Sequence, residues 1–331
     1  MRYYNIPVFV PHYGCPFDCV FCNQKHITGF REELSGEKSK EIIKEHLKTI
    51  PKVDRRVEVA FFGGSFTAID KSLQEELLKA AYEFIKSGEI DGIRLSTRPD
   101  FISDDVMELL LKYGVTSIEL GVQSMNDTVL LKSGRGHTKE DVIKASEIIK
   151  KYPVKLGLQM MTGLPYDTFE KSIETAKEII KLKPHMVRIY PTLVIKDTCL
   201  SKMYLSGEYT PQDLEGAIYL SKELIKMFRK NNIEVIRVGL QATDEMTPGT
   251  NVLAGPYHSA FGEMAENAIF YDKIIDTLNG DKTAEIKVNP KDISKAIGNK
   301  KRNYIKLKEN GIDIKFIQDE TVPLGEIIRK D

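Results

Sequence analysis

The first 240 residues of the chain alternate short apolar, β-branched runs with longer amphipathic runs. Strand-like composition marks residues 5–13, 57–62, 91–97, 115–123, 154–161, 186–191 and 233–240. Helical spacing of apolar residues marks 72–88, 103–114, 138–152 and 167–183. Strands that alternate with helices in this way predict a parallel sheet covered by helices. We therefore predict an α/β fold, a partial or full parallel (β/α) barrel with its functional residues at the carboxyl ends of the strands.

The alternation stops after residue 241. Residues 243–259 are rich in Gly, Pro and Thr and predict a loop, and residues 260–280 predict one helix. The remaining stretch has the pattern β-α-α-β, which predicts a small α+β unit. We thus divide the chain into a barrel (1–242), a bridging loop and helix (243–280) and a C-terminal unit (281–331).

The composition indicates a globular protein but does not indicate a binding partner. Of the 331 residues, 41% are hydrophobic and 29% are charged, the balance of an ordinary globular protein. Lys+Arg and Asp+Glu both number 48, so only local charge can indicate a partner. We find no apolar run long enough for a membrane span and no signal-peptide pattern, and we expect a cytoplasmic protein without a membrane partner. Its few cysteines should then be reduced thiols, available to a metal or to catalysis.

The stretch HYGCPFDCVFC (12–22) holds three of the four cysteines, Cys15, Cys19 and Cys22. Thiolates are ligands for zinc or for iron–sulfur clusters. A structural zinc needs four ligands, and the remaining cysteine, Cys199, lies in an apolar-flanked stretch where we expect core packing. A zinc site completed by His12 or His26 therefore stays as one alternative. The other is a four-iron cluster on three cysteines, which leaves one iron open to a small ligand, as radical chemistry with S-adenosylmethionine (SAM) requires.

The spacing Cys-x3-Cys-x2-Cys resembles the signature loop of radical SAM enzymes, with Phe21 at the aromatic position before the last cysteine. Further strings at predicted strand ends resemble the Elongator catalytic-subunit family over about residues 5–270, and more distantly the oxygen-independent coproporphyrinogen oxidases. These strings are FFGGSF (61–66), LSTRPD (95–100), ELGVQS (119–124), GRGHT (134–138) and GLQMMTGLP (157–165). The resemblance implies a [4Fe-4S] cluster on the three cysteines, bound SAM, and an electron donor such as flavodoxin or ferredoxin. The Elongator family continues into an acetyltransferase domain, whereas only a short unit follows the bridging helix here, so we do not carry over the acetyl-CoA step.

The resemblance also implies which residues contact SAM. Gly63 and Gly64 stand where the superfamily has a Gly-Gly-Glu-like motif for the SAM amino group; Ser65 replaces the Glu, so only the backbone role carries over. By the same resemblance Gln123 and Gln159 contact the ribose or methionine part, and Arg135 binds the carboxylate. The full implied set is Phe21, Gly63, Gly64, Ser65, Ser96, Thr97, Gln123, Arg135 and Gln159. Ser96 departs from the coproporphyrinogen oxidases, which carry Glu there. For each polar member the alternative is a strand-end residue that bonds local backbone, and for the glycines it is an ordinary tight turn.

A basic stretch follows in the C-terminal unit. Six basic residues and no acidic ones lie between Lys295 and Lys308. The string AIGNKKRNYIKL reads as helix, glycine turn and helix, and it resembles the KH-domain core, whose GXXG loop clamps a nucleic-acid backbone. Gly298 matches the first glycine, and Lys301 stands at the second. We predict RNA contacts at Gly298, Lys300, Lys301 and Arg302; the alternative is a solvated basic face.

The first functional hypothesis is a radical SAM enzyme, a transferase that modifies a base in tRNA or rRNA. A second hypothesis keeps the radical chemistry but gives it a small-molecule substrate such as a tetrapyrrole, which has no need of the basic turn. A third is a non-catalytic RNA-binding protein with structural zinc, which would not cleave SAM.

Overall fold

The computed structural model describes residues 2–10, 15–22, 34–240 and 249–330. Its main feature is a seven-stranded sheet of order β1-β2-β3-β4-β5-β6-β8 in which every neighbouring pair is parallel. The strands are β1 (Arg2–Val10), β2 (Arg55–Gly63), β3 (Gly92–Thr97), β4 (Val115–Gln123), β5 (Lys155–Thr162), β6 (Met186–Pro191) and β8 (Glu234–Val238). Within these described ranges β1 and β8 are the edges of the sheet, so the barrel is a half-barrel, and the fold class predicted from the sequence is confirmed.

Helices connect successive strands, as parallel pairing requires. They are α1 (Gly36–Thr49), α2 (Lys71–Lys86), α3 (Asp104–Lys112), α4 (Asp127–Lys132), α5 (Lys139–Lys150), α6 (Phe169–Lys181), α7 (Cys199–Leu205) and α8 (Leu214–Lys230). Most begin at a side-chain cap: Thr138, for example, accepts from the backbone N–H of Asp141 and forms a capping box. Within the described ranges, no helix combines the length and apolarity needed to cross a membrane.

The two faces of the sheet differ in chemistry because side chains alternate along each strand. One face carries buried apolar residues such as Phe61, Leu95 and Leu158, which form one core with the helices. The opposite, concave face carries half-buried polar side chains instead, among them Arg94, Gln159 and Arg188. The concave face is therefore where the fold leaves room for chemistry.

A second, smaller sheet follows the half-barrel. It has the order β11-β10-β12, where β10 (Thr283–Val288) is parallel to β11 (Asp313–Gln318) and antiparallel to β12 (Ile327–Lys330). The helices α10 (Ile293–Ile297) and α11 (Arg302–Glu309) lie between β10 and β11, in the predicted β-α-α-β order. The helix α9 (Phe261–Leu278) serves both parts, because Ala265 and Ile269 pack in the main core while Phe270, Ile274 and Leu278 pack with the small sheet.

Two strands after residue 241 were not predicted from the sequence. Strand β9 (Val252–Ala254) lies inside the stretch predicted as loop and pairs antiparallel with β7 (Val194–Ile195). Strand β12 follows the last predicted strand. The predicted loop residues 243–248 lie outside the described residues.

Candidate cofactor site at the carboxyl end of the half-barrel

The cysteine loop, residues 15–22, is held by backbone hydrogen bonds on both sides. The Val20 N–H donates to the Ser133 carbonyl at 3.0 Å, and the Val20 carbonyl accepts from the Leu200 N–H at 2.7 Å. A further bond from the Cys22 N–H to the Cys19 carbonyl, at 2.9 Å, makes a turn between these two cysteines. Val20 and the half-buried Phe21 pack against an apolar cluster that includes Leu200 and Tyr209. The loop therefore has a fixed seat between the turn that precedes α5 and the start of α7.

The GRGHT string forms the first side of that seat. Gly136 has φ +72, and a Cβ there would come within 2.5 Å of the Phe17 ring in the cysteine loop. A glycine is thus required both by the left-handed backbone and by the close approach. The guanidinium of Arg98 covers the same ring at 4.7 Å from its centroid. The turn therefore packs directly on the cysteine loop.

Arg135 links the turn to a cysteine. Its Nη1 donates to Cys19 Sγ at 3.3 Å and its Nη2 to the Gly121 carbonyl at 2.6 Å. Its own carbonyl accepts from Arg98 Nη2 at 2.6 Å, and Arg98 forms a two-pronged pair with Asp100 at 2.9 Å. Arg135 and Arg98 are both buried, so two cations lie beside the thiols in a poorly solvated place.

The three thiols suit a sulfur-bound cluster in type and in setting. None is in a disulfide; Cys19 is buried, and Cys15 and Cys22 are half-buried. Burial, and next the neighbouring Cys19, raises the pKa of Cys15, while Arg98 and Arg135 act to lower it. Among the described residues no group of three or more His, Cys, Asp or Glu is already gathered around one point. The donors on the loop are soft thiols beside cations, which fits an anionic iron–sulfur cluster. His12 and His26, which the zinc alternative needs, lie outside the described residues.

The glycine pair after β2 brings two strands close together. A Cβ on Gly63, where φ is +114, would lie 2.4 Å from the Val10 carbonyl oxygen. The Gly64 N–H donates to that same oxygen at 3.0 Å. The pair therefore forms a close backbone contact at the end of β1, the strand that leads into the cysteine loop. Its predicted contact with SAM stays a prediction.

Ser65 and Thr97 form a buried hydroxyl network between the ends of β2 and β3. Ser65 Oγ lies 2.9 Å from Thr97 Oγ1 and accepts from the Arg98 N–H at 3.2 Å. Thr97 Oγ1 also lies 2.6 Å from Thr67 Oγ1. These contacts are the local bonds that the sequence left open as the alternative, and a role toward SAM remains a prediction.

Gln123 and Gln159 differ in the hydrogen bonds that their side-chain amides form. Gln159 Nε2 donates to Ser96 Oγ at 3.3 Å and to Glu119 Oε2 at 3.1 Å. Gln123 is buried with φ +64, and its Oε1 has no hydrogen-bond partner among the described residues. A buried acceptor without a partner carries a free-energy cost that a bound polar ligand would remove. Gln123 thus has the capacity that a ligand-binding amide needs, at the end of β4.

A charged cluster on the concave face was missed in the sequence. Glu119 is 1% exposed and accepts from Arg188 at 2.5 and 3.0 Å and from Arg94 at 3.3 Å. Burial acts to lower the pKa of Arg188, but the hydrogen bonds and charge of Glu119 outweigh it and raise that pKa above its ordinary value. The available signal was a charged residue in the middle of each otherwise apolar strand, as in GIRLST, IELGV and MVRIYP.

The prediction that Cys199 packs in the core was wrong. Cys199 is exposed, because the cap at Thr198 makes it the first residue of α7 and turns the next residue, Leu200, into the core. His258 Nδ1 accepts from the Ala260 N–H at 3.0 Å, just before α9.

The basic turn between α10 and α11 is an unusual piece of backbone. Gly298, Lys300 and Lys301 have φ values of +85, +50 and +62, so a lysine adopts the left-handed form at the position of the second loop glycine. Asn303 Nδ2 pins the turn by donating to the carbonyls of Lys295 and Ala296, both at 3.2 Å.

Four of the six basic side chains have partners within the protein. Lys295 pairs with Asp292, Lys308 with Asp313 and Arg302 with Glu215, while Lys306 lies over the Tyr271 ring at 4.4 Å. Lys300 and Lys301 are exposed and form no ion pair with any described residue. Lys300 lines an open cleft of about 580 Å³ together with His258, Asn299 and Arg302. The charge available to a partner is thus concentrated on two lysines.

Comparison with known proteins agrees with this geometry. Residues 9–179 match the radical SAM superfamily, and residues 184–270 match the radical SAM C-terminal domain. The chain is 30% identical over 240 residues to a tRNA uridine(34) acetyltransferase of Methanocaldococcus jannaschii, covering 66% of this chain and 43% of that protein. It is 29% identical over 203 residues to Elongator complex protein 3 of Saccharomyces cerevisiae, covering 55% of this chain and 36% of that protein.

A solved structure extends the likeness to the fold. The structure of Elp3 from Methanocaldococcus infernus superposes with a TM-score of 0.65 at 26% identity, over 81% of this chain and 62% of that one. The chain thus spans less than half of the length of the named acetyltransferase relative and resembles its radical SAM region. On its matched residues, its half-barrel and its three-cysteine loop, the chain belongs to the radical SAM superfamily and is Elongator-like within it.

Proposed function

We propose that this chain is a radical SAM enzyme that modifies a base of a transfer RNA. The observation that carries the proposal is the cysteine loop, tied by backbone bonds on both sides at the carboxyl end of an Elongator-like half-barrel. Relatives at about 30% identity are named tRNA uridine(34) acetyltransferases, which supports tRNA as the substrate class. Their acetyl transfer is not carried over to this chain, and neither is their position in the tRNA.

In this proposal Cys15, Cys19 and Cys22 hold a [4Fe-4S] cluster with one iron left for SAM. The chemistry that this cofactor pair supplies when bound is reductive cleavage of SAM to methionine and a 5′-deoxyadenosyl radical, which abstracts hydrogen from the substrate. The electron comes from a donor protein such as flavodoxin or ferredoxin. Arg135 donates to Cys19 Sγ, so its guanidinium would lie beside the cluster ligands and would be available to bind the SAM carboxylate.

Side chains around the loop would hold SAM and keep water out. Gln123 offers an unpaired amide oxygen to a ribose hydroxyl or an ammonium group. The backbone at Gly63 and Gly64 comes close without a Cβ in the way. Phe17 and Phe21 cover the loop with apolar surface.

The C-terminal unit would hold the RNA. Lys300 and Lys301 are the exposed, unpaired cations of the described basic turn, and Lys300 lines the adjacent cleft. Arg302 borders the same cleft and is released for phosphate only if its pair with Glu215 opens. We therefore assign the first RNA contact to Lys300 and Lys301.

Two measurements test the proposed function together. Anaerobic protein with dithionite should release 5′-deoxyadenosine from SAM, and the triple variant Cys15→Ala, Cys19→Ala, Cys22→Ala should release none. Mass spectrometry of tRNA nucleosides from cells with and without the protein should show one modified nucleoside that disappears. Tight zinc with no SAM cleavage would overturn the radical chemistry. SAM cleavage with an unchanged nucleoside profile would overturn the RNA substrate and favour a small molecule.

A further inference from the structure

Two arginines lie side by side on the concave face of the half-barrel. Arg188 on β6 and Arg237 on β8 are register partners in a parallel pair, so their side chains leave the sheet on the same face. Neighbouring strands are about 4.8 Å apart, which places two guanidinium-bearing side chains next to each other. Both residues are half-buried. Like charges this close cost free energy unless counter-charges offset them.

The two buried carboxylates described on this face, Glu58 and Glu119, are already in use. Glu119 accepts from Arg94 and Arg188, and Glu58 accepts from Arg94 at 3.2 Å with Arg56 also within 3.8 Å. Arg237 forms no ion pair or hydrogen bond with any described residue. Among the described residues, the concave face thus has one half-buried cation more than its buried carboxylates engage.

The surroundings of Arg237 suit an oxyanion. Tyr190 lies two residues beyond Arg188 on β6, on the same face. The charges of Arg188 and Arg237 both act to lower the pKa of its hydroxyl. Burial raises the pKa of Tyr190, so the phenol keeps its proton and can donate a hydrogen bond. The Phe62 ring lies 5.6 Å from the Arg188 guanidinium and limits solvent on that side.

We propose that Arg237 and Tyr190 form an anion subsite that binds a phosphate of the nucleotide to be modified. This inference rests on the proposed function and names which part of the substrate the half-barrel recognises. A planar guanidinium and a phenol donor match the oxygens of a phosphate group. A nucleotide that enters an active site away from its stack needs such a hold on its backbone.

Position separates this subsite from the place proposed for SAM. Arg135 and Cys19 lie beside β4, whereas β8 is three strands further along the sheet. At the usual strand spacing that is about 14 Å measured along the curled sheet. We therefore assign Arg237 to the substrate and Arg135 to the cofactor carboxylate.

The test compares uridine 5′-monophosphate with uridine as ligands of the cluster-loaded protein. Wild type should bind the monophosphate more tightly by about tenfold to a hundredfold, the range of a charge-assisted hydrogen bond. Arg237→Gln should remove most of that difference, Arg237→Lys should keep part of it, and Tyr190→Phe should reduce it. Arg2→Gln is the matched control, because it removes the same charge from an exposed residue at the opposite end of the strands.

Three other results would contradict the proposed phosphate subsite. If wild type does not distinguish the two ligands, or if Arg237→Gln binds the monophosphate as wild type does, no phosphate is held there. If Arg237→Gln instead weakens SAM binding, the anion is the cofactor carboxylate. The result is separate from that of the nucleoside profile: the phosphate preference can fail while tRNA modification stands, and it can stand while the profile is unchanged.

Discussion

At the scale of single residues, Arg135 has the most specific set of contacts near the cysteines. Its guanidinium touches Cys19 Sγ and the Gly121 carbonyl. If it also holds the SAM carboxylate, Arg135→Ala should weaken SAM binding by about 1.5–3 kcal/mol, the usual loss of a hydrogen bond to a charged group. Equilibrium dialysis with SAM measures this directly.

Arg229→Ala is the control for that variant, since Arg229 is an arginine of α8 that pairs with Glu266 on the protein surface. It should bind SAM as wild type does. An Arg135→Ala protein that folds, carries its cluster and binds SAM normally would show that the guanidinium only braces the cysteine loop.

The buried His137, also in the GRGHT string, should make the folded protein less stable in acid. Burial, and then the charges of Arg135 and Arg98, lower its pKa from 6.5 to about 3. Between these pH values the unfolded chain binds a proton that the folded chain does not, so stability falls as pH falls. His137→Gln keeps a donor for the Val122 carbonyl, the partner of His137 Nε2 at 3.2 Å, without titrating.

Relative to His137→Gln, wild type should lose about 2 kcal/mol between pH 7 and pH 5, because the linkage is about 1.4 kcal/mol per pH unit below pH 6.5. Urea unfolding of both proteins under anaerobic conditions at the two pH values measures the difference. Parallel losses in both proteins would mean that His137 takes up its proton in the folded state.

At the scale of elements, the seat of the cysteine loop depends on Gly136. Gly136→Ala should lower the iron content per chain, because the added methyl group would collide with Phe17. Both this change and Gly88→Ala put alanine at a positive φ, which costs about 1 kcal/mol. Gly88 has φ +75 and nothing within 4 Å of the added Cβ, so it isolates the backbone cost.

Iron analysis after anaerobic reconstitution distinguishes the two glycine variants. We expect normal iron in Gly88→Ala and reduced iron in Gly136→Ala at equal thermal stability. Equal iron in both would show that the loop shifts without losing its ligands.

The basic turn makes a quantitative prediction for RNA binding. Lys300→Gln with Lys301→Gln should reduce the slope of log affinity against log salt by about 1.4–1.8, since each lost phosphate contact removes about 0.7–0.9. Lys315→Gln with Lys330→Gln is the control, because both of those lysines pair with Glu285 on the small sheet and the change in charge is the same. Filter binding of total tRNA across a salt series gives the slopes. An unchanged slope for the first pair would identify the turn as a solvated face.

Sequence periodicity predicted the elements that have a strong local signal. The central strands and four helices were placed to within a few residues because their apolar spacing and capping residues agree. Strand β9 has three residues and becomes a strand only by pairing with β7, a tertiary contact that no local pattern encodes. Strand β12 is short and half exposed, and it too depends on its partner, β10.

At the scale of the whole molecule, the division of the chain can be tested by fragments. The core of the small sheet has nine buried residues, and three of them, Phe270, Ile274 and Leu278, come from α9. A fragment of residues 281–331, the unit predicted from sequence, leaves out all three. A fragment of residues 261–331 should therefore unfold cooperatively on heating, whereas residues 281–331 should not. Circular dichroism measures both, and cooperative unfolding of the shorter fragment would support the cut at 280.

Part of the candidate site could be predicted from the sequence, and part of it could not. The cysteine spacing and the strand-end strings pointed to the right edge of the sheet, because the fold class fixes which strand ends meet. The shared contacts of Glu119 with Arg94 and Arg188 could not be derived, since they depend on strand order, register and face at once. Likewise the run of six basic residues reads as uniform in sequence, but two nearby carboxylates, Asp292 and Asp313, and two distant partners, Glu215 and Tyr271, engage most of its charge.

The two backbone hydrogen bonds of Val20 have a consequence for how the sequence of the cysteine loop can change in evolution. Both are made by main-chain atoms, one N–H and one carbonyl, so they do not depend on which side chain stands at position 20. Every residue except proline supplies the N–H that bonds to the Ser133 carbonyl. A related protein could therefore carry a different side chain at position 20 and still hold the loop by the same two main-chain bonds. The path of the loop can then stay the same while its sequence changes.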